Sequence, residues 1–143
     1  SASPTTAGAG KKTHFAKTKF VIHAGLAFGA FHRYIYKPFK AGVFGRPASH
    51  KAALAKAALA AVFAYHETKV ALKDAQSSRL LSKLVSPLTA LQGKLRSMGP
   101  GFKRGQYNGA QINSANADTT TASAASAKAG QPIKDQPTPT LGG

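Results

Sequence analysis

Between Phe20 and Phe31 the chain is almost uninterrupted apolar residue, with only His23, Gly25 and Gly29 among Phe20, Val21, Ile22, Ala24, Leu26, Ala27, Phe28, Ala30 and Phe31. Aromatic side chains fall on several sides of the helical wheel, so a helix here must be covered around most of its circumference. The spacing predicts a helix over 14–36, with Thr13 able to cap it and Pro38 stopping it at Tyr36 or Lys37. Its Val and Phe content leaves a strand as the alternative. The run from Phe20 to Tyr36 only reaches the lower limit of roughly 17 residues for a membrane span. It also contains His23, His32 and Arg33, and Lys17, Lys19, Lys37 and Lys40 flank it on both sides. A buried core helix, or one lying in a membrane interface, is therefore expected. Gly25 and Gly29 form a small-xxx-small pair that lets another helix approach closely.

Pro38 to Pro47 reads as a linker that packs back on the helices through Phe39, Val43 and Phe44. A second helix is predicted over 49–75, capped by Ser49 and dominated by alanine, a strong helix former. Its small face, carrying Ala53, Ala57, Ala60, Ala64 and Ala71, suits packing against Gly25 and Gly29. A third helix is predicted over 78–97, where Leu81, Leu84, Leu88, Leu91 and Leu95 repeat at spacings of three and four. Pro87 either starts a new helix, with Ser86 as its cap, or kinks a continuous one. Gly99-Pro100-Gly101 is expected to end the run.

The remainder is low in large apolar residues. Residues 1–12 and 108–143 are expected to be disordered arms, because neither composition buries enough apolar area to offset the entropy of ordering it. That leaves a basic helical domain over 13–107. The fold class that follows is all-α, either a small three- to four-helix bundle or an extended helical hairpin, with disordered N- and C-terminal arms.

Twenty Lys and Arg stand against four Asp and Glu, a formal net charge of +16. Beyond Tyr107, Lys128 and Lys134 cancel Asp118 and Asp135, so the net charge belongs to the segment before the tail. Such a surface attracts polyanions. The residues expected to meet an anionic partner are Lys17, Lys19, Arg33, Lys37, Lys40, Lys51, Arg79, Lys83, Arg96, Lys103 and Arg104. They are spread over every predicted helix, which is not how a sequence-reading recognition helix is built. Tyr34, Tyr36, Phe39 and Phe44 beside Arg33, Lys37, Lys40 and Arg46 have the character of an interfacial or nucleic-acid surface. Phe102 and Tyr107 add to that character further along.

The patterns that carry catalysis are missing from the sequence. There is no cysteine, and no HExxH or phosphate-loop spacing. His14, His23 and His32 are nine apart and face different sides of a helix, and a His23–His66 pair across helices is the one conceivable metal or haem site. Glu67 and Asp74 lie two turns apart, with no Lys or Arg three or four positions away to pair with along the helix. No enzyme, no cofactor and no metal site is therefore expected. The expected role is a noncatalytic structural or interaction protein, a cationic helical component of an envelope-associated or multi-protein assembly. Its partners would be a protein partner or a second copy, with an anionic polymer or anionic lipid surface. Nonspecific nucleic-acid binding and cationic membrane activity are the alternatives. The small-residue start, Ser1 to Gly10, suits a position just after an export cleavage site, so a secreted or envelope-associated location is expected. An intracellular, nucleic-acid-associated location is the alternative.

Overall fold

A computed structural model describes residues 19–47 and 50–138, and among them every regular element is helical. Four helices form a small bundle. The first, α1, is helical over 19–31, passes through a wide π turn at His32–Tyr36 and continues over Lys37–Lys40. Next come α2, His50–Gln76, and a 3-10 stretch, Arg79–Leu84, leading directly into α3, Val85–Lys103. The fourth, α4, is Gly109–Lys128. Extensive helix contacts join α2 to α3 and α3 to α4. The expected arm over 1–12, Lys17 and the proposed caps Thr13 and Ser49 lie outside the described residues.

The apolar run of α1 is buried as its pattern requires. Phe20, Ala24, Phe28, Phe31 and Ile35 are almost fully covered, and Ile22 is its exposed large aliphatic residue. Pro38 does not stop this helix. The backbone N–H of Lys37 bonds to the carbonyl of His32 in the i→i+5 pattern of a π turn. The widened turn gives the proline ring room at the preceding carbonyl and relaxes the need for its missing N–H. The chain then reverses at Gly42, whose φ of 77° favours glycine.

The leucine ladder Leu81, Leu84, Leu88, Leu91 and Leu95 is buried throughout. The break expected at Ser86-Pro87 occurs earlier, with Leu84 at the cap position and Pro87 inside the first α3 turn. At its other end α3 runs on through Gly99-Pro100-Gly101 to Lys103, past the predicted stop. Pro100 and Arg96 are both exposed, so the hydrogen bond that proline forfeits falls on the wet side of the helix. Met98, Gly99 and Phe102 are buried on the other side and hold the last turns in place.

The tail is where the structure departs most from the composition. Residues 108–143 were expected to be disordered, yet α4 is a docked helix. Ile112, Ala115, Thr119, Ala122 and Ser126 are buried at alternating spacings of three and four, a core stripe written mostly in small residues. The Asn108 side chain accepts a hydrogen bond from the Gln111 N–H at 3.1 Å, which satisfies an open donor at the helix start. Residues 131–138 then run back as an extended strap along α1. There the Gln136 N–H bonds to the Gly25 carbonyl at 2.9 Å. A Cβ on Gly25 would overlap the Lys134 carbonyl, and one on Gly29 would overlap the backbone of Gln136. The close approach expected at this glycine pair is therefore made by the chain's own strap, not by the alanine face of α2. Those alanines, Ala57, Ala60, Ala64 and Ala71, are buried elsewhere in the core, and Ala61 meets Gly99 of α3.

Candidate anion-contact surface

The exterior is set by where the few carboxylates go. Glu67 on α2 meets Nδ1 of His23 at 2.6 Å, Asp118 on α4 accepts from Lys94 at 2.6 Å, and Asp135 on the strap meets Nδ1 of His32 at 2.7 Å. The fourth, Asp74, has its Oδ2 buried without a hydrogen-bond partner. Burial raises its carboxyl above the usual carboxylate range, while the positive charges of His23 and Lys19 pull it down. Every acidic group is thus engaged with another element or partly withdrawn from water, and three of them tie elements together. Asp118 and Asp135 do more than neutralise the tail. They pin α4 to α3 and the strap to α1.

The histidines follow from this. His23 points to Glu67 and not to His66, which is exposed. His32 sits at the junction of three elements. Its Nε2 lies 3.1 Å from Asn116 Oδ1 and 3.2 Å from Thr119 Oγ1 on α4, with Asp135 on the other nitrogen. The ring therefore bridges α1, α4 and the strap. Among the described residues, no group of three or more His, Cys, Asp or Glu could hold a metal ion. No helix among them is long and apolar enough to cross a membrane.

The cations face outward. Lys19, Arg33, Lys37, Lys40, Lys51, Arg79, Lys83, Arg96, Lys103 and Arg104 are all exposed. Arg33 lies over the Tyr34 ring, 5.1 Å from its centre. Much of the aromatic character read from the sequence is used internally. Phe44 packs on Phe102 at 5.9 Å and on Tyr107 at 5.5 Å, and Phe39 meets Tyr107 edge-on at 6.0 Å. This cluster closes the corner where the end of α1 meets the end of α3. Phe44 and Phe102 are nearly fully covered, and Tyr107 alone of the three keeps 44% of its surface in water.

One region gathers several cations around an apolar floor. The antiparallel pair α2/α3 carries a furrow, because Ala55, Ala58, Ala61 and Gly99 are too small to fill the angle between two closely packed helices. Two hollows of about 570 and 210 Å³ lie along it and share Lys103 as a wall. Lys51, Lys103 and Arg104 rim one end, and Arg96 stands at the other beside Tyr65. Leu59 and Val62 stand on the bank, 47% and 44% exposed. Among the described residues, no carboxylate lines either hollow. Of the residues expected to meet an anionic partner, the fold brings these four together, while Lys19, Arg33, Lys37 and Lys40 follow α1. Lys83 lines a separate hollow between the 3-10 stretch and α4, with Leu80 and Lys128. Sequence reasoning missed the furrow itself. Its only sequence signal is the coincidence of exposed Leu59 and Val62 with small residues one turn away on α2.

No family model matches the chain, and no curated protein or solved structure does either.

Proposed function

We propose that this protein is a noncatalytic interaction component, a cationic helical bundle that contacts an anionic surface within an envelope-associated or multi-protein assembly. The observation that carries this reading is the segregation of charge. The carboxylates are committed to His23, Lys94 and His32 or tucked beside α1 near Lys19, and among the described residues most exposed cations have no ion-pair partner. A surface of one sign speeds encounter with polyanions and repels its own copies. The hollows are open troughs lined mainly by alanine, leucine, valine and lysine, which suits contact with another surface better than enclosure of a small substrate. The test is cosedimentation with vesicles rich in phosphatidylglycerol and retention on a heparin column, each across a salt series. Binding that weakens steeply as salt rises supports the proposal. Absence of binding to both at low salt removes it.

Nonspecific nucleic-acid binding is the second reading, favoured by the spread of Arg33, Lys37, Arg79, Lys83 and Arg96 over different elements. It calls for a linear fall of log affinity with log salt on duplex and single strands alike, with no sequence preference.

A further inference from the structure

We propose that the α2/α3 furrow is a docking groove for an acidic amphipathic helix of a partner protein, an assignment that rests on the anionic-contact reading and gives it a site and a partner chemistry. The furrow asks two things of its occupant at once. Its floor and bank, Ala55, Ala58, Leu59, Val62 and Gly99, require apolar side chains. Its rim of Lys51, Lys103, Arg104 and Arg96 requires negative charge beside that apolar stripe. Along α2 the furrow extends from Lys51 to Tyr65, about 21 Å at 1.5 Å per residue, which corresponds to about four turns of a helix lying in it. A helix with leucine-type residues on one stripe and Asp or Glu on its flanks satisfies both demands along that length.

The other occupants fit the furrow less well. Nucleic acid supplies the charge, but its phosphates would lie over Leu59 and Val62, which offer no donors. A lipid surface supplies both charge and apolar depth, yet it is met by protruding side chains, and this floor is recessed between two helices with Phe102 buried beneath. A second copy of this chain brings like charge. Its acidic residues are already held by His23, Lys94 and His32 or partly buried at Asp74. The partner helix must therefore come from a different, acidic protein.

The experiment uses the full chain and a fluorescently labelled peptide of about four helical turns, with leucines at i, i+3, i+4 and i+7 flanked by glutamates. The control is a scrambled peptide of identical composition. Fluorescence anisotropy at about 150 mM salt, where exposed charges are screened beyond ~8 Å, should show the patterned peptide binding at least about tenfold tighter than the scramble. L59S/V62S and, separately, K103E/R104E should each weaken it about tenfold, with unchanged far-ultraviolet circular dichroism. K83E/K128E, the same change in net charge at the separate hollow beside α4, should alter it less than about twofold. Equal binding of the two peptides, or equal losses in K103E/R104E and K83E/K128E, overturns the groove. Parallel titrations with anionic vesicles and duplex DNA separate the two levels of the argument. Binding to either of these without binding to the peptide overturns the groove and leaves the anionic-contact reading standing. Failure of all three overturns both.

Discussion

Replacing Gly29 by alanine sets two effects of known size against each other. Alanine in a helix interior is about 1 kcal/mol more favourable than glycine. At Gly29, however, the new Cβ would stand 3.0 Å from the backbone nitrogen of Gln136 and 3.3 Å from its carbonyl carbon, and would overlap the carbonyl oxygen. Backbone, unlike the end of a flexible side chain, cannot swing aside, so the strap has to lift. Three contacts leave with it. The Gln136 to Gly25 hydrogen bond is worth about 0.5–1.5 kcal/mol. The His32–Asp135 pair, 23% and 49% exposed, is worth about 0.2–1 kcal/mol after solvent screening. Ile133 gives up partial burial, about 1 kcal/mol. The gross loss is about 2–4 kcal/mol, partly offset by the conformational freedom that the lifted residues regain. The bundle should therefore melt near the parental temperature while residues 131–138 open. Hydrogen exchange read by mass spectrometry should show those amides exchanging freely, and trypsin should cut after Lys134 well before it cuts the helices. Gly93→Ala is the reference, because nothing within 4 Å meets a Cβ at that exposed α3 position. It should gain the helix term alone, raising Tm by up to about 2–5 °C with the strap still protected. Strap amides as protected as in the parent, together with a Tm several degrees lower, would refute the reasoning, since α1 would then have deformed to keep the strap.

Three further outcomes follow from the packing and the charges. Leu91→Ala, in the middle of the buried ladder, should cost about 2–5 kcal/mol in a urea titration, and a loss under about 1 kcal/mol would mean that α3 is not seated as described. Ala122→Glu forces a carboxylate into the α4 stripe and should undock that helix, seen as lost helical signal at 222 nm; an unchanged spectrum would mean the segment was never docked. Asp74→Asn should stabilise the protein at neutral pH. The carboxyl's folded-state value lies above its ordinary 3.8, so its favourable contribution is present at acid pH and is lost as pH rises through the folded value. The amide avoids that loss, so the Tm gain should be present at pH 7 and fade below about pH 4; a gain that grows on acidification contradicts the burial argument.

How much of this was legible beforehand depends on which residues carried the signal. Large apolar side chains announced α1 and the leucine ladder, because hydropathy and period coincide there. Alanine propensity placed α2 to within a residue or two. By contrast, α4 was hidden because its stripe of Ile112, Ala115, Thr119, Ala122 and Ser126 has helical spacing but little hydropathy. A heptad of small residues buries well only against a neighbour shaped to meet it, and that neighbour is not visible from the stripe itself. Both proline misreadings share one cause. Pro38 is accommodated by a π turn and Pro100 by a solvent-facing position, each a tertiary circumstance that local rules do not contain. The cationic residues could be named from sequence, but their grouping around the furrow depends on Ala61 and Gly99 letting two helices approach.

The strap also imposes an order on the making of this protein. His32 and Asp135 are separated by 103 positions in the chain, so the glycine face of α1 is synthesised well before the strap that covers it. Until residues 131–138 have emerged, that face lacks the cover the strap gives it among the described residues, and uncovered surface of this kind promotes aggregation or calls for a chaperone. Translation stopped anywhere between α2 and α4 should therefore yield fragments that are sticky rather than merely short, and ribosome-bound nascent chains of increasing length should lose that stickiness only when the strap is complete.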